Sequence, residues 1–179
     1  KEGVTMIKVT INGNEVKSYE KSVRLSDIIS ELYPQNSVLD DIKINKKSFP
    51  ISEIDKCTLA GNETVDLSFI TVSQSILKIS ESAMQFLDWI DAQNIEDDIF
   101  SVLPQIVSGF EVFESALNSI KQLGRNFESK EDEEEKSRIF MEINSFVALE
   151  NKDETIKRIK KVCEIYRKIF SKILETEGI

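Results

Sequence analysis

The most informative absence in this sequence is histidine, of which the 179 residues contain none. Histidine is the commonest general base near neutral pH, the usual partner of serine and cysteine nucleophiles, and a frequent ligand of zinc and di-iron centres. Its absence excludes the nucleophile–histidine dyads and triads and the histidine-containing metal sites. The sequence therefore predicts a protein that is not an enzyme and that carries no cofactor.

Cysteine and glycine are also scarce. The two cysteines, Cys57 and Cys163, lie 106 positions apart, which favours two reduced, partly buried thiols over a disulfide or a thiol nucleophile. The six glycines are scattered and form neither a Walker nor a dinucleotide-binding pattern. Nucleotide-binding loops of these kinds are thereby excluded.

Long apolar runs and excess positive charge are missing as well. No stretch approaches the roughly 18 apolar residues that span a bilayer, and residues 1–6 hold no apolar signal core. The net charge of −9 disfavours nonspecific contacts with nucleic-acid phosphates. We expect a cytoplasmic, bacterial protein that binds neither membranes nor nucleic acid.

The first seventy residues carry strand and turn signals. Residues 6–11 and 15–19 alternate around Asn12-Gly13, a dipeptide that suits the positive φ angles of a type I′ turn and so predicts a β-hairpin. A short helix is predicted next, ending before Pro34. A short strand at residues 41–45, a turn at 59–62 and a final strand at 64–71 complete the pattern.

This element order resembles the β-grasp, or ubiquitin-like, fold over about residues 5–71. The nearest likeness is to the small sulfur-carrier proteins, on the stretches Ile-Lys-Ile-Asn-Lys-Lys at 42–47 and Leu-Ala-Gly-Asn-Glu-Thr-Val at 59–65. Those carriers end in Gly-Gly, whereas this chain reads Thr-Val-Ser-Gln-Ser at 71–75. The resemblance implies a docking module that uses its sheet face or a groove beside its helix. It leaves open that the sheet face only packs within the protein.

Residues 73–179 show apolar stripes at helical spacing, which predict a bundle of about four helices. One stripe runs from Ile76 to Ile90, and another lies at residues 139–147. The last helix presents these residues inward: Ile156, Ile159, Cys163, Tyr166, Phe170 and Ile173. The fold class predicted is α+β, with a β-grasp domain at 1–72 and an all-α bundle at 73–179.

The most regular stripe belongs to the second helix of the bundle. Its members step alternately by three and four residues: Ile99, Leu103, Ile106, Phe110, Phe113, Leu117 and Ile120. Flanking residues such as Phe100 and Val107 widen the apolar arc of 95–123 to roughly 220°, well beyond the ~100° of an ordinary surface helix. Such a helix is either surrounded within the chain or covered by another chain, and this predicts Phe100 and Val107 as partner-binding residues.

Local signals indicate where these helices begin and end. Pro104 interrupts the hydrogen-bond ladder, so the long helix is predicted to start near Leu103 after a separate turn. Gly124 occupies a C-cap position, and Asn151 with Glu154 forms a capping box. The acidic run at 131–135 is predicted to be a solvated loop that enters a helix N-terminus.

The basic final helix has two interpretations. Its exposed lysines and arginines suit a nucleic-acid or membrane surface. Residues 81–135, however, hold 14 acidic against 3 basic side chains, so pairing within the bundle also explains the basic helix. We favour the pairing within the bundle.

One enzyme alternative rests on carboxylates. Glu111 with Glu114, and Glu150 with Asp153, resemble the Glu-x-x-Glu and Glu-x-x-Asp motifs with which all-α nucleotide pyrophosphatases hold Mg²⁺. The second pair straddles a predicted helix break. The leading hypothesis remains a non-enzymatic interaction or adaptor protein that binds a protein partner or a second copy, through the bundle or the sheet face. A bundle-type chaperone for an export or assembly substrate is the other alternative.

Overall fold

The computed structural model describes residues 6–178, so the chain start on which the cytoplasmic prediction partly rests lies outside the described residues. The chain divides into two compact units between Ser75 and Ile76. The first contains a mixed five-stranded sheet and the second is helical. The α+β class predicted from the sequence is confirmed.

The first unit opens with the predicted hairpin of strands β1 (Ile7–Ile11) and β2 (Asn14–Tyr19). Asn12 and Gly13 between them have φ angles of 49° and 83°, as a type I′ turn requires. The register of the pair shifts between Val9 and Thr10, where Val16 is left without an opposite residue. This bulge lies on the outer strand of the sheet.

The remaining elements of this unit are β3 (Val23–Arg24), helix α1 (Leu25–Leu32), β4 (Ser37–Ile44), β5 (Lys47–Ser48), a 3-10 helix (Ile51–Lys56), β6 (Thr58–Leu59) and β7 (Thr64–Thr71). The main sheet has the order β2-β1-β7-β4-β5, with β7 parallel to β1 and antiparallel to β4. Strands β3 and β6 pair separately.

The final strand at 64–71 is confirmed, whereas the short strand predicted at 41–45 begins earlier, at Ser37. It is longer because it pairs with β7 along its whole length, from Ser37 opposite Thr71 to Ile44 opposite Val65. Long-range pairing of this kind leaves no local signal in residues 37–40.

The core of this unit lies between one face of the sheet and α1. Strand β7 alternates in burial, with Val65, Leu67 and Phe69 facing the core. They pack with Leu25 and Ile28 of α1, as the period of two in a strand and the 3–4 spacing in a helix require.

The second unit contains helices α2 (Val72–Ala92), α3 (Ile95–Gln122), α4 (Lys130–Ala148) and α5 (Lys152–Glu177). All six residues predicted to face inward from the last helix are buried. Aromatic rings form the centre of this core, with Phe113 at 5.0 Å from Tyr166 and 5.2 Å from Phe170 between ring centroids.

The predicted break near Pro104 is wrong. Pro104 lies inside α3, and the non-helical backbone occurs six residues earlier, at Asp98. The Asp98 side chain accepts a hydrogen bond from the backbone N–H of Ser101 at 3.3 Å, so it caps the helix that follows. The break lies at Asp98, whose side chain caps the helix that follows, and Pro104 lies within the first two turns after this cap.

The helix ends predicted from the sequence are confirmed. Gly124 has a φ of +81° and its N–H donates to Lys121, while the N–H of Arg125 donates to Ile120, which is a Schellman motif. Asn151 caps α5 by accepting from the N–H of Glu154 at 3.2 Å. The acidic run lies within α4, and Asp132 from it is buried instead of solvated.

Candidate functional site

Helix α3 is buried along its predicted seam but exposed on both sides of it. Six members of the seam are buried, and Leu103 is half-buried. Phe100 and Val107, the predicted partner-binding residues, are 38% and 40% exposed, and Val112 is 65% exposed. The wide apolar arc is therefore only partly covered by the described residues.

An apolar groove of about 810 Å³ lies between α2 and α3. Its walls carry Ile79, Ala83 and Phe86 from α2, with Val112 and Ala116 from α3. The polar side chains along it belong to Ser82, Gln105, Ser108 and Lys78. Its volume falls within the range of small-molecule sites.

The shape of this groove depends on Phe86. Its ring stacks on Trp89 with centroids 5.2 Å apart and meets Phe113 edge-on at 5.7 Å. A β-carbon at position 109 would lie 2.1 Å from Phe86 Cε1, so only glycine lets the ring pack there. Gly109 in the middle of a helix is thus explained by the close approach of α2.

The helices that form the groove are strongly acidic. Together α2 and α3 carry eight Asp and Glu residues against two Lys. Four of these carboxylates have cationic partners elsewhere in the unit: Asp88, Asp91, Glu96 and Glu114. The other four, Glu81, Asp97, Asp98 and Glu111, form no ion pair with the part of the chain that the structure describes. None of these carboxylates lines the groove itself, whose charged lining residue is Lys78, so the surplus of negative charge lies elsewhere on the two helices.

Five basic residues of α5 pair with carboxylates of the other helices. Arg167 contacts Asp88 at 2.8 Å and Asp91 at 2.5 Å, and Lys160 contacts Glu96 at 2.9 Å. Three further pairs join α5 to α4: Lys168 with Asp132, Lys161 with Glu135, and Arg158 with Glu142. The complementary pairing expected within the bundle is present.

A buried ionic cluster lies where α3, α4 and α5 meet. Lys136 of α4 is only 3% exposed; it contacts Glu114 and lies 2.5 Å from Glu128 Oε1. Glu128, from the α3–α4 loop, also pairs with Lys121 at 3.1 Å. The Glu128 Oε1 atom accepts no hydrogen bond of good angle despite its short contact with Lys136. This cluster holds the loop against the helices.

Tyr166 completes the cluster. Its hydroxyl donates to Glu114 Oε1 at 2.6 Å, and its ring lies 4.8 Å below the Lys136 amino group. Burial raises the pKa of the Tyr166 phenol, and the hydrogen bond to Glu114 raises it further. The hydroxyl therefore remains protonated and keeps Glu114 in one orientation.

The four carboxylates of the Mg²⁺ alternative are distributed over two places. Glu111 and Glu114 lie one turn apart on α3, whereas Glu150 and Asp153 flank the turn between α4 and α5. Among residues 6–178, no three Asp, Glu or Cys side chains are gathered as a metal site.

Both cysteines are free thiols. Cys163 is buried in α5, and burial raises its pKa to about 12. Burial also raises the pKa of Cys57. A thiolate is the reactive form of cysteine, so neither side chain is poised as a nucleophile.

The sheet offers a less suitable binding surface. The face opposite α1 is polar, with Thr10 donating a hydrogen bond to Asp66 at 2.6 Å across adjacent strands. The outer strand β2 is charged and carries the bulge at Val16. Both features hinder the pairing of a further strand with this edge of the sheet.

Sequence reasoning identified α3 as the important helix but missed the groove. Phe86 lies outside the stripe of α2, and Val112 lies outside the stripe of α3. The one signal that could have located the groove is Gly109, a glycine in the most regular helix of the chain.

Comparisons of the chain with protein-family models, with curated proteins and with solved structures find no match. None of the helices within residues 6–178 has the length and apolar character needed to cross a membrane.

Proposed function

We propose that this chain is a non-enzymatic interaction protein, an adaptor that binds an amphipathic helix of a partner protein in the groove between α2 and α3. The observation that carries the proposal is the groove itself, an apolar concavity of about 810 Å³ between two acidic helices. Helix-in-groove recognition uses such a surface to take up the apolar face of a partner helix.

The charge of α2 and α3 indicates the chemistry of the partner. These helices carry eight acidic and two basic side chains, and four of the acidic ones form no ion pair with a described residue, so a partner helix rich in Lys and Arg gains electrostatic steering. A second copy would bring the same acidic helices against each other. The charges therefore favour a basic partner over self-association.

The fold of the first unit supports a binding role of the chain in general. We propose that this unit is a β-grasp domain, in line with its β2-β1-β7-β4-β5 order, the parallel β1–β7 pair and the packing of helix α1 on one face of the sheet. Where sulfur carriers end in Gly-Gly, strand β7 here continues directly into α2 at Val72. Carrier chemistry is accordingly not part of the proposal.

The test uses a synthetic amphipathic peptide of leucine and lysine, with leucines at helical spacing. Trp89 is the only tryptophan and stacks on Phe86 in the groove wall, so its fluorescence reports occupancy. We expect the peptide to bind and to shift the Trp89 emission. A leucine–glutamate peptide of the same pattern should not bind.

Two variants with matched exposure localise the binding. Val112→Asp places a charge inside the groove, whereas Met141→Asp places one on α4 outside it; the wild-type side chains are 65% and 64% exposed, so neither change disturbs the core. We expect Val112→Asp to lower the affinity for the leucine–lysine peptide at least about tenfold and Met141→Asp to leave that affinity unchanged. Equal binding by both variants, equal binding of the acidic peptide, or a dimer dissociated by Val112→Asp would each overturn the proposal.

A further inference from the structure

A second groove follows the other side of α3. Its volume is about 380 Å³, and it lies between α3 and α4 with one residue from α5. At 100° per residue, Val107 lies roughly 140° around the helix from Val112, so the two grooves occupy different flanks of α3. The apolar walls of this second groove comprise Leu103, Val107, Phe110, Phe140, Ile143 and Ile159.

Two carboxylates stand among these apolar walls. Glu111 forms no ion pair or hydrogen bond with any described residue. Glu114 is held in place, because its Oε1 atom receives the Tyr166 hydroxyl at 2.6 Å and also contacts Lys136. Its Oε2 atom receives no hydrogen bond from residues 6–178, so one oxygen of a fixed carboxylate remains able to accept.

The surrounding charges do not neutralise this pair. Lys136 is shared between Glu114 and Glu128, and Lys121 is shared between Glu128 and Glu133. With Glu111, this makes four carboxylates against two ammonium groups, so the region around Glu114 has a surplus of negative charge. An anionic ligand would be repelled, and a neutral apolar ligand would make no ionic contact with Glu111 or with Glu114 Oε2.

From this arrangement we infer that the α3–α4 groove binds a small hydrophobic ammonium compound. The apolar body of the ligand covers Val107 and Phe140. Its ammonium group donates hydrogen bonds to Glu111 and to Glu114 Oε2. Such a site has the usual composition of a small-molecule pocket, in which apolar walls supply burial and a few polar groups fix orientation. It does not depend on the groove between α2 and α3.

The experiment titrates the full chain with hexylammonium and with two probes of the same chain length, hexanol and hexanoate. Binding is followed by amide chemical shifts in nuclear magnetic resonance spectra, which also report the location. We expect hexylammonium to bind at least about tenfold more tightly than hexanol, since a charge-assisted hydrogen bond contributes more than a neutral one. The shifts should centre on Val107, Glu111 and Ile143.

A pair of matched variants separates a specific contact from general electrostatics. Glu111→Gln removes one carboxylate of the site, and Glu81→Gln removes an exposed, unpaired carboxylate from α2. We expect Glu111→Gln to lower the affinity for hexylammonium about tenfold and to leave the affinity for hexanol unchanged. Glu81→Gln should change neither affinity. Equal loss in both variants, hexanoate binding as well as hexylammonium, or shifts centred on Val112 would overturn the assignment.

Discussion

The ring of Phe86 on α2 lies against the backbone of Gly109 on α3, where a β-carbon would come within 2.1 Å of Phe86 Cε1 and 2.3 Å of Cζ. This contact brings the two helices close together, and both residues line the groove between them. The ring is half-buried, so it has room to move when the contact is altered.

The contact makes the effect of Gly109→Ala dependent on residue 86. In the wild-type chain the new methyl group displaces the ring from Trp89 and Phe113, which we expect to cost about 1 kcal/mol or more of unfolding free energy. In a Phe86→Ala background the same change should stabilise the helix by about 0.5–1 kcal/mol, because alanine is the better helix former. Urea denaturation of the double-mutant cycle measures both values, and stabilisation of equal size in the two backgrounds would disprove the contact.

The turn between α4 and α5 holds a second testable feature. Glu150 occupies the C′ position of a Schellman motif with a φ of +52°, and the N–H of Asn151 donates to Phe146 at 2.8 Å. We expect Glu150→Gly to raise the unfolding free energy by about 0.5–1 kcal/mol, because glycine adopts this backbone without strain. Glu150→Ala is the control, since it keeps the β-carbon; thermal denaturation should show no comparable gain for it.

Lys136 should be the most sensitive charged residue of the helical unit. Lys136→Met removes the cation between Glu128 and Glu114 and leaves the buried Glu128 carboxylate with Lys121 as its remaining cationic partner. We expect a cost of about 3 kcal/mol, the lower end of the range for a broken buried ion pair. Adding Glu128→Gln should recover part of this loss. The control Lys130→Met changes an exposed lysine of the same helix and should alter stability by less than about 0.5 kcal/mol. Similar losses for the two single variants in chemical denaturation would contradict a structural role for the cluster.

The pH dependence of stability should report on Asp132. Burial raises the pKa of Asp132, but hydrogen bonds from Lys168 and Ser129 outweigh this effect and hold the pKa below its ordinary value. A lowered pKa in the folded state means that the carboxylate stabilises the protein above about pH 4 and that this contribution is lost as the pH falls through the folded pKa.

Asp132→Asn should therefore lower the melting temperature at neutral pH and flatten its decline in acid. The exposed Asp153→Asn in the first turn of α5 serves as the control. An Asp132→Asn variant whose melting temperature falls with acid as steeply as that of the wild-type chain would refute this role.

The buried thiol gives a further prediction. Because burial raises the pKa of Cys163 to about 12, we expect it to react with a disulfide reagent at about pH 8 only as fast as the helical unit opens. In a Cys57→Ser variant, Cys163 is the one thiol left to react, so the labelling rate is that of Cys163 alone. Rapid labelling of the native variant would show that α5 is less well packed than its burial indicates.

Much of the fold follows from local patterns. Asn12-Gly13, Gly124 and Asn151 correctly indicated a hairpin, a helix end and a helix start, because turns and caps depend on the backbone preferences of single residues. The inward face of α5 also followed from its 3–4 spacing. The position of the break in α3 was predicted wrongly. Both Asp98, as a capping residue, and Pro104, as a helix breaker, are local signals for a helix boundary, and the sequence does not rank them.

The candidate sites were less accessible to this reasoning. The apolar excess on α3 indicated a binding helix, and Phe100 and Val107 are indeed partly exposed. The partners of that helix across each groove, Phe86 on one side and Phe140 on the other, carry no sequence signal that relates them to it.

The sequence alone determined the α+β fold class, several helix ends and the side of the helices that faces the core. These properties depend on residues within a few positions of one another. The tertiary structure decided which charges are buried and where the helices leave space. Tyr166 and Glu114 lie 52 positions apart, and Phe86 and Gly109 lie 23 apart. Contacts of this kind depend on how whole helices pack, and a residue's own neighbours in the chain do not encode that packing.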